Sequence, residues 1–95
     1  MMDKEQYLLA KLAEECGEVA QIALKTQQFG MEEVYNSLPT NRLRLHQELD
    51  DLMGVIKMLN EECGLGYEPS AAAIAAKEGK VSFYFNKSCD CGRSK

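Results

Sequence analysis

The stretch Leu8-Leu9-Ala10-Lys11-Leu12-Ala13-Glu14-Glu15-Cys16-Gly17-Glu18-Val19-Ala20-Gln21-Ile22 decides the fold. Leu8, Leu12, Val19 and Ile22 return at intervals built from threes and fours, with Cys16 and Ala23 beside them, which is one apolar stripe of an α-helix. Glu15 occupies the same row, where the repeat asks for an apolar residue. Upstream, Asp3 followed by Gln6 has the form of a helix start in which each side chain satisfies a free backbone group, and downstream Gly30 is a stop. The spacing predicts a helix from Asp3 to about Gln28, roughly 38 Å long at 1.5 Å per residue.

Beyond it, residues 31–39 read as a connector with room for one short helical turn, because Asn36, Ser37 and Pro39 interrupt any pattern. A second helix starts near Thr40 or Asn41. Leu45, Leu49, Leu52, Ile56 and Leu59 recur on one face until Gly64-Leu65-Gly66 ends the run. Pro69 opens a third helix, rich in alanine from Ala71 to Ala76. The segment Val81-Ser82-Phe83-Tyr84-Phe85 has strand-like composition but is assigned to this helix, since a lone strand in a helical chain would leave backbone groups unpaired. The expected fold is all-α, a bundle of about three helices per chain. Residues 1–86 form the single helical domain and 87–95 a polar C-terminal tail. A first helix longer than so small a domain needs points to oligomerisation, which would bury the excess.

The chain has 95 residues, 45% of them hydrophobic and 27% charged, which matches an ordinary folded domain rather than a disordered or membrane one. Its longest apolar run, Ala71–Ala76, is far short of a membrane span, and the opening Met1-Met2-Asp3-Lys4-Glu5 lacks the apolar region of a signal peptide. A cytoplasmic location without a membrane partner is therefore expected, with Cys16, Cys63, Cys89 and Cys91 as reduced thiols. Cys16 and Cys63 look like core residues. Cys89-Asp90-Cys91 lacks the second pair of ligands a structural zinc site needs. With 11 Lys plus Arg against 15 Asp plus Glu, net charge −4, a nucleic-acid partner is not expected.

Two acidic pairs stand out: Glu15 with Glu18 on the first helix, and Glu48 with Asp51 on the second. Residues three apart project from the same side of a helix one turn apart, so each pair can grip one object. Acidic pairs on helices are ordinarily a solvated face. Here both pairs flank apolar stripes, which turns them inward or along a seam, where clustered carboxylates must protonate, find cations or bind metal. Hard divalent ions such as Mg²⁺ or Mn²⁺ prefer all-oxygen shells, and Mg²⁺ completes its shell with water and substrate phosphates. A ferritin-like di-iron site fails, because the single histidine, His46, has Leu43 three residues before it rather than Glu.

The segments Leu12-Ala13-Glu14-Glu15-Cys16-Gly17-Glu18-Val19 and Leu45-His46-Gln47-Glu48-Leu49-Asp50-Asp51-Leu52 carry the pattern Glu-Glu-x-x-Glu followed by Glu-x-x-Asp. This resembles the all-α nucleoside triphosphate pyrophosphohydrolases, the MazG-like group that includes the dimeric all-α dUTPases and dCTPases, and the likeness extends over residues 5–85. Thr40-Asn41-Arg42 and Lys77-Glu78-Gly79-Lys80-Val81 look like compact members of the group. The resemblance implies that Glu15, Glu18, Glu48 and Asp51 bind Mg²⁺, with Mn²⁺ a substitute, and that Glu14 belongs to the catalytic group as a neighbour that supports these ligands or occasionally joins them. It implies hydrolysis of a nucleoside triphosphate between the α and β phosphates, to a monophosphate and pyrophosphate, by a homodimer or dimer of dimers. Lys77 and Lys80, an i, i+3 pair, are the expected phosphate-binding residues; Lys25 and Arg42 are weaker candidates. Phe29, Tyr35, Tyr67 and Tyr84 can all stack on a base, and the residues do not choose among them. The chain has no Trp, and Val81 stands where dCTPase-like members carry Asn four residues beyond the lysine. The alternative reading is a non-enzymatic helical dimer or interaction module with an acidic metal-binding patch.

Overall fold

In a computed structural model that describes residues 2–90, the chain forms three helices: α1 (Lys4–Phe29), α2 (Asn41–Cys63) and α3 (Ala71–Asp90). No strand occurs among the described residues; the backbone makes one isolated antiparallel bridge, Val34 to Thr40. No helix among them is long and apolar enough to cross a membrane.

α1 begins as its sequence requires. The Asp3 side chain accepts from the Gln6 N–H at 2.8 Å while the Asp3 N–H donates to Gln6 Oε1 at 3.1 Å, so two otherwise unpaired donors are satisfied. Gly30, at φ 98°, ends it. The Thr40 hydroxyl oxygen accepts from the Leu43 N–H to cap α2, and Gly64 closes that helix in the left-handed conformation, φ 68°. Ser70 caps α3 by accepting from the Ala73 N–H.

α1 and α2 form an antiparallel hairpin whose register is set at both ends. Lys4 pairs with Glu62 at one end, and Asn41 meets Gly30 at the other. Leu8, Ile22 and Leu59 are buried in the seam, flanked by half-buried Leu12, Val19, Leu45, Leu52, Val55 and Ile56. Cys16 is exposed and Cys63 only half-buried, which corrects their assignment to a core, and Leu49 is 41% exposed. The reason is that two helices cover each other along a narrow seam; residues on the flanks of the stripe need a third helix over them, and α3 supplies none. It packs against neither α1 nor α2, so the three expected helices are present but only two pack together within the chain.

The connector holds no helical turn. It folds back on the start of α2 through Asn41 N–H to Glu33 O at 3.0 Å and Arg42 N–H to Met31 O at 2.9 Å. Asn41, 1% exposed, also donates from its side chain to Gly30 O at 2.9 Å and Glu33 Oε1 at 3.3 Å. Asn41→Ala, which removes both side-chain bonds, is expected to cost about 1–2 kcal/mol in urea denaturation. An unchanged midpoint would show that the connector is held by other contacts. α3 continues through Val81–Phe85, as read, and on to Asp90, so the first four residues of the expected tail prolong the helix.

Candidate acidic site

Halfway along the hairpin the two helices bring their acids face to face. One carboxylate oxygen from each of Glu15, Glu48 and Asp51 lies within 4.8 Å of the others, an all-oxygen group of the kind that suits a hard divalent cation. Glu15 and Glu48 are half-buried and Asp51 is exposed, so the group sits on the seam with one side open to water. Glu18 joins it through a hydrogen bond with Glu48. Two carboxyl groups can share such a bond only when one is protonated, and the contact accordingly raises the Glu48 carboxyl above its ordinary value.

Glu14, expected beside the metal ligands, turns elsewhere. Lys11, one turn back, holds it at 3.4 Å, and Lys11 also lies over the Tyr7 ring. The helix advance explains the split, because Glu14 and Glu15 are about 100° apart around α1 and only one of them can face α2.

The electrostatics follow from the crowding. The Glu15 carboxyl is raised above its ordinary value of 4.5, first by partial removal from water and then by the negative charges of Asp51, Glu18 and Glu14, with Lys11 opposing. Glu48 is raised above the same value first by the hydrogen bond with Glu18, then by partial burial and repulsion from Glu18, Asp51 and Glu15. Between 4.5 and these raised values the folded chain binds more protons than the unfolded one. The stability the pair contributes is therefore greatest near and below pH 4.5 and is lost as pH rises through the raised values. In EDTA, the melting temperature of Glu48→Gln minus that of the wild type is expected to grow from pH 4.5 to pH 7. A difference that stays flat across that range would contradict the carboxyl–carboxyl contact.

Alongside the acids a hollow of about 140 Å³ opens between the helices, lined by Glu18, Gln21, Ile22, Lys25, Arg44, Gln47 and Glu48. Lys25 and Arg44 also line a second hollow with Phe29, Glu33 and Tyr35. The cations that reach the groove are thus Lys25 and Arg44. Arg42 instead binds Glu32 in the connector, its Nε at 2.7 Å. Arg44 was not singled out in the sequence, although two spacings point to the arrangement: Arg44 is one turn before Glu48, and Lys25 two turns after Glu18.

Lys77 lines a shallow hollow on α3 with Ile74, Glu78, Val81 and Ser82, and Lys80 is exposed on the same helix. Since α3 does not touch the hairpin, neither lysine meets the acids within one chain. Tyr67 lies beside Asn60, which bonds its backbone in both directions, and Tyr84 is exposed on α3. His46 is exposed on α2. Cys16, Cys63 and Cys89 carry free thiols, while Cys91 lies outside the described residues. No family model, curated protein or solved structure matches the chain.

Proposed function

We propose that this chain is a cytoplasmic, Mg²⁺-dependent nucleoside triphosphate pyrophosphohydrolase of the MazG-like type, working as a homo-oligomer. The observation that carries the reading is the convergence of Glu15, Glu48 and Asp51 from two helices, with Glu18 bonded to Glu48. Three oxygen donors with one open side suit an ion that keeps water and takes phosphate oxygens as its remaining ligands. Bound there, Mg²⁺ or Mn²⁺ would neutralise phosphate charge, polarise phosphorus and lower the pKa of an attacking water. With the ion bound, Glu18, exposed at the edge of the group and in contact with Glu48, would be placed to accept the proton of that water. The hollow beside the acids, open along the seam, leaves room for the substrate to approach.

Support for oligomerisation comes from α3. Ile74, Val81 and Phe85, which share one face of the helix, are each at least half exposed. The chain exposes 7533 Å², whereas a compact protein of this mass exposes roughly 5,500 Å². Its radius of gyration is 17.0 Å, against about 12–13 Å for a compact chain of this length. The excess surface is more than the roughly 800 Å² each partner contributes to an ordinary stable interface. A second copy laid on α3 covers it and carries Lys77 and Lys80 toward the phosphates of a neighbouring site.

The same exposed face favours the second reading, a helical dimer without catalysis. Incubation with Mg²⁺ and a panel of ribo- and deoxynucleoside triphosphates, with products separated by chromatography, decides between them. Monophosphate and pyrophosphate, absent in EDTA, are expected; intact triphosphates throughout would leave the interaction module.

A further inference from the structure

The hollow at the connector end of the groove has a chemistry of its own. It measures about 360 Å³, within the range of small-molecule sites, and is lined by Lys25, Phe29, Glu33, Tyr35 and Arg44. Two of these, Phe29 and Tyr35, are aromatic and 54% and 64% exposed. Two are donors without an acceptor: among the described residues neither Lys25 nor Arg44 has a carboxylate within ion-pair distance. The fifth, Glu33, is an acceptor, and it is held in place, since Asn41 Nδ2 donates to its Oε1 and leaves its other oxygen free. Its backbone is held too, by the Asn41 N–H. The connector residues of this hollow are thus anchored to the start of α2 rather than loose.

This hollow shares Lys25 and Arg44 with the one beside Glu18 and Glu48, so the two are neighbouring parts of one groove. Lys25 lies about 10 Å along α1 from Glu18, and Arg44 about 6 Å along α2 from Glu48. A ligand with its phosphate at the acids and its length along this groove would pass Gln21 and Gln47 and bring its ring to the second hollow.

We propose that the hollow of Lys25, Phe29, Glu33, Tyr35 and Arg44 binds the base of the substrate and selects bases with a lactam edge, a ring carbonyl next to a ring N–H. The inference rests on the proposed phosphohydrolase reading and specifies its substrate class. Phe29 and Tyr35 flank the ring. Lys25 and Arg44 donate to the carbonyl oxygen, and the free Glu33 oxygen accepts from the adjacent N–H. Guanine, hypoxanthine and uracil present that edge. Adenine has no carbonyl, and cytosine has an unprotonated ring nitrogen beside its carbonyl, which a carboxylate repels. A site built to hydrogen-bond a group rejects the analogue that lacks it, because its own polar groups are then left unpaired.

The test compares kcat/KM for GTP, ITP, UTP, ATP and CTP, and in parallel the binding of GMP and AMP without metal, followed by the backbone amide signals of residues 25–44. The wild type is expected to favour the first three triphosphates at least tenfold and to bind GMP in preference to AMP. Arg44→Gln and Lys25→Gln, both with unchanged circular dichroism, are expected to bring the ratio to within about twofold, chiefly through KM. Equal use of all five bases by the wild type would overturn the base assignment while leaving the hydrolase reading intact. Uniform weakening of all five by the variants would overturn it too, since it would make these cations phosphate ligands. GMP binding without turnover of any triphosphate would retain the base pocket and remove the hydrolase; neither binding nor turnover would remove both.

Discussion

Glu15→Gln and Asp51→Asn are each expected to lower pyrophosphohydrolase turnover by about a thousandfold or more, while the chain folds and, in EDTA, melts higher than the wild type. The two halves of this result have one cause. Each substitution puts a neutral amide in place of a carboxylate and so takes one negative charge out of the group of three. The loss for the metal-assisted step is several kcal/mol of transition-state stabilisation, and about 4 kcal/mol corresponds to a thousandfold in rate. Without metal the same charge is a burden. Glu15 is held above its ordinary value first by partial removal from water and then by the charges of Asp51, Glu18 and Glu14, so neutralising one of the acids relieves both costs. Turnover at saturating Mg²⁺ and melting in EDTA check the two halves on one sample. A variant that loses turnover and also melts lower in EDTA would mean that the acids hold the hairpin together and affect activity through the fold.

A second large effect is expected on α3. Val81→Glu or Phe85→Asp places a charge on a face with no cover in the single chain, so the isolated protomer tolerates it. In an oligomer that buries the face, an unpaired charge in an apolar interface is costly enough to separate the copies. Sedimentation is expected to show the wild type as a dimer or larger and the variants as monomers, with activity falling along with assembly because Lys77 and Lys80 no longer reach a partner's phosphates. A 20-residue helix without a packing partner is marginal in water, so the variants are also expected to lose helical circular dichroism while α1 and α2 keep theirs. A wild type that sediments as a monomer at working concentration would refute the second-copy reading of α3.

Local chemistry wrote the helices plainly into the sequence. Asp3 with Gln6, Thr40 before α2, and Gly30 and Gly64 at the ends act through bonds a few residues long, and the observed boundaries follow them to within a residue. The meeting of the acids was legible for a related reason. Glu15 stands in an apolar row and Glu48 beside another, so any hairpin that joins the rows joins the acids.

What depended on the third helix was not legible. Cys16 and Leu49 lie on flanks whose burial requires another helix, and periodicity says which face is apolar without saying what covers it. Arg44 and Arg42 are two residues apart and differ only in their partners: Glu32 captures Arg42, while Arg44 turns to the groove. Asn41 resembles an ordinary helix-start residue in sequence, and only the returning connector makes it a buried link between Gly30 and Glu33.

The most direct test is a ³¹P NMR time course of a nucleoside triphosphate with the protein and Mg²⁺ in one tube. The three triphosphate resonances are expected to give way to one monophosphate and one pyrophosphate signal, to stop changing when EDTA is added, and to persist unchanged with Glu48→Gln. Triphosphate resonances that persist with the wild type, or that decay to a nucleoside diphosphate and inorganic phosphate, would contradict the assignment of this acidic seam to pyrophosphohydrolysis.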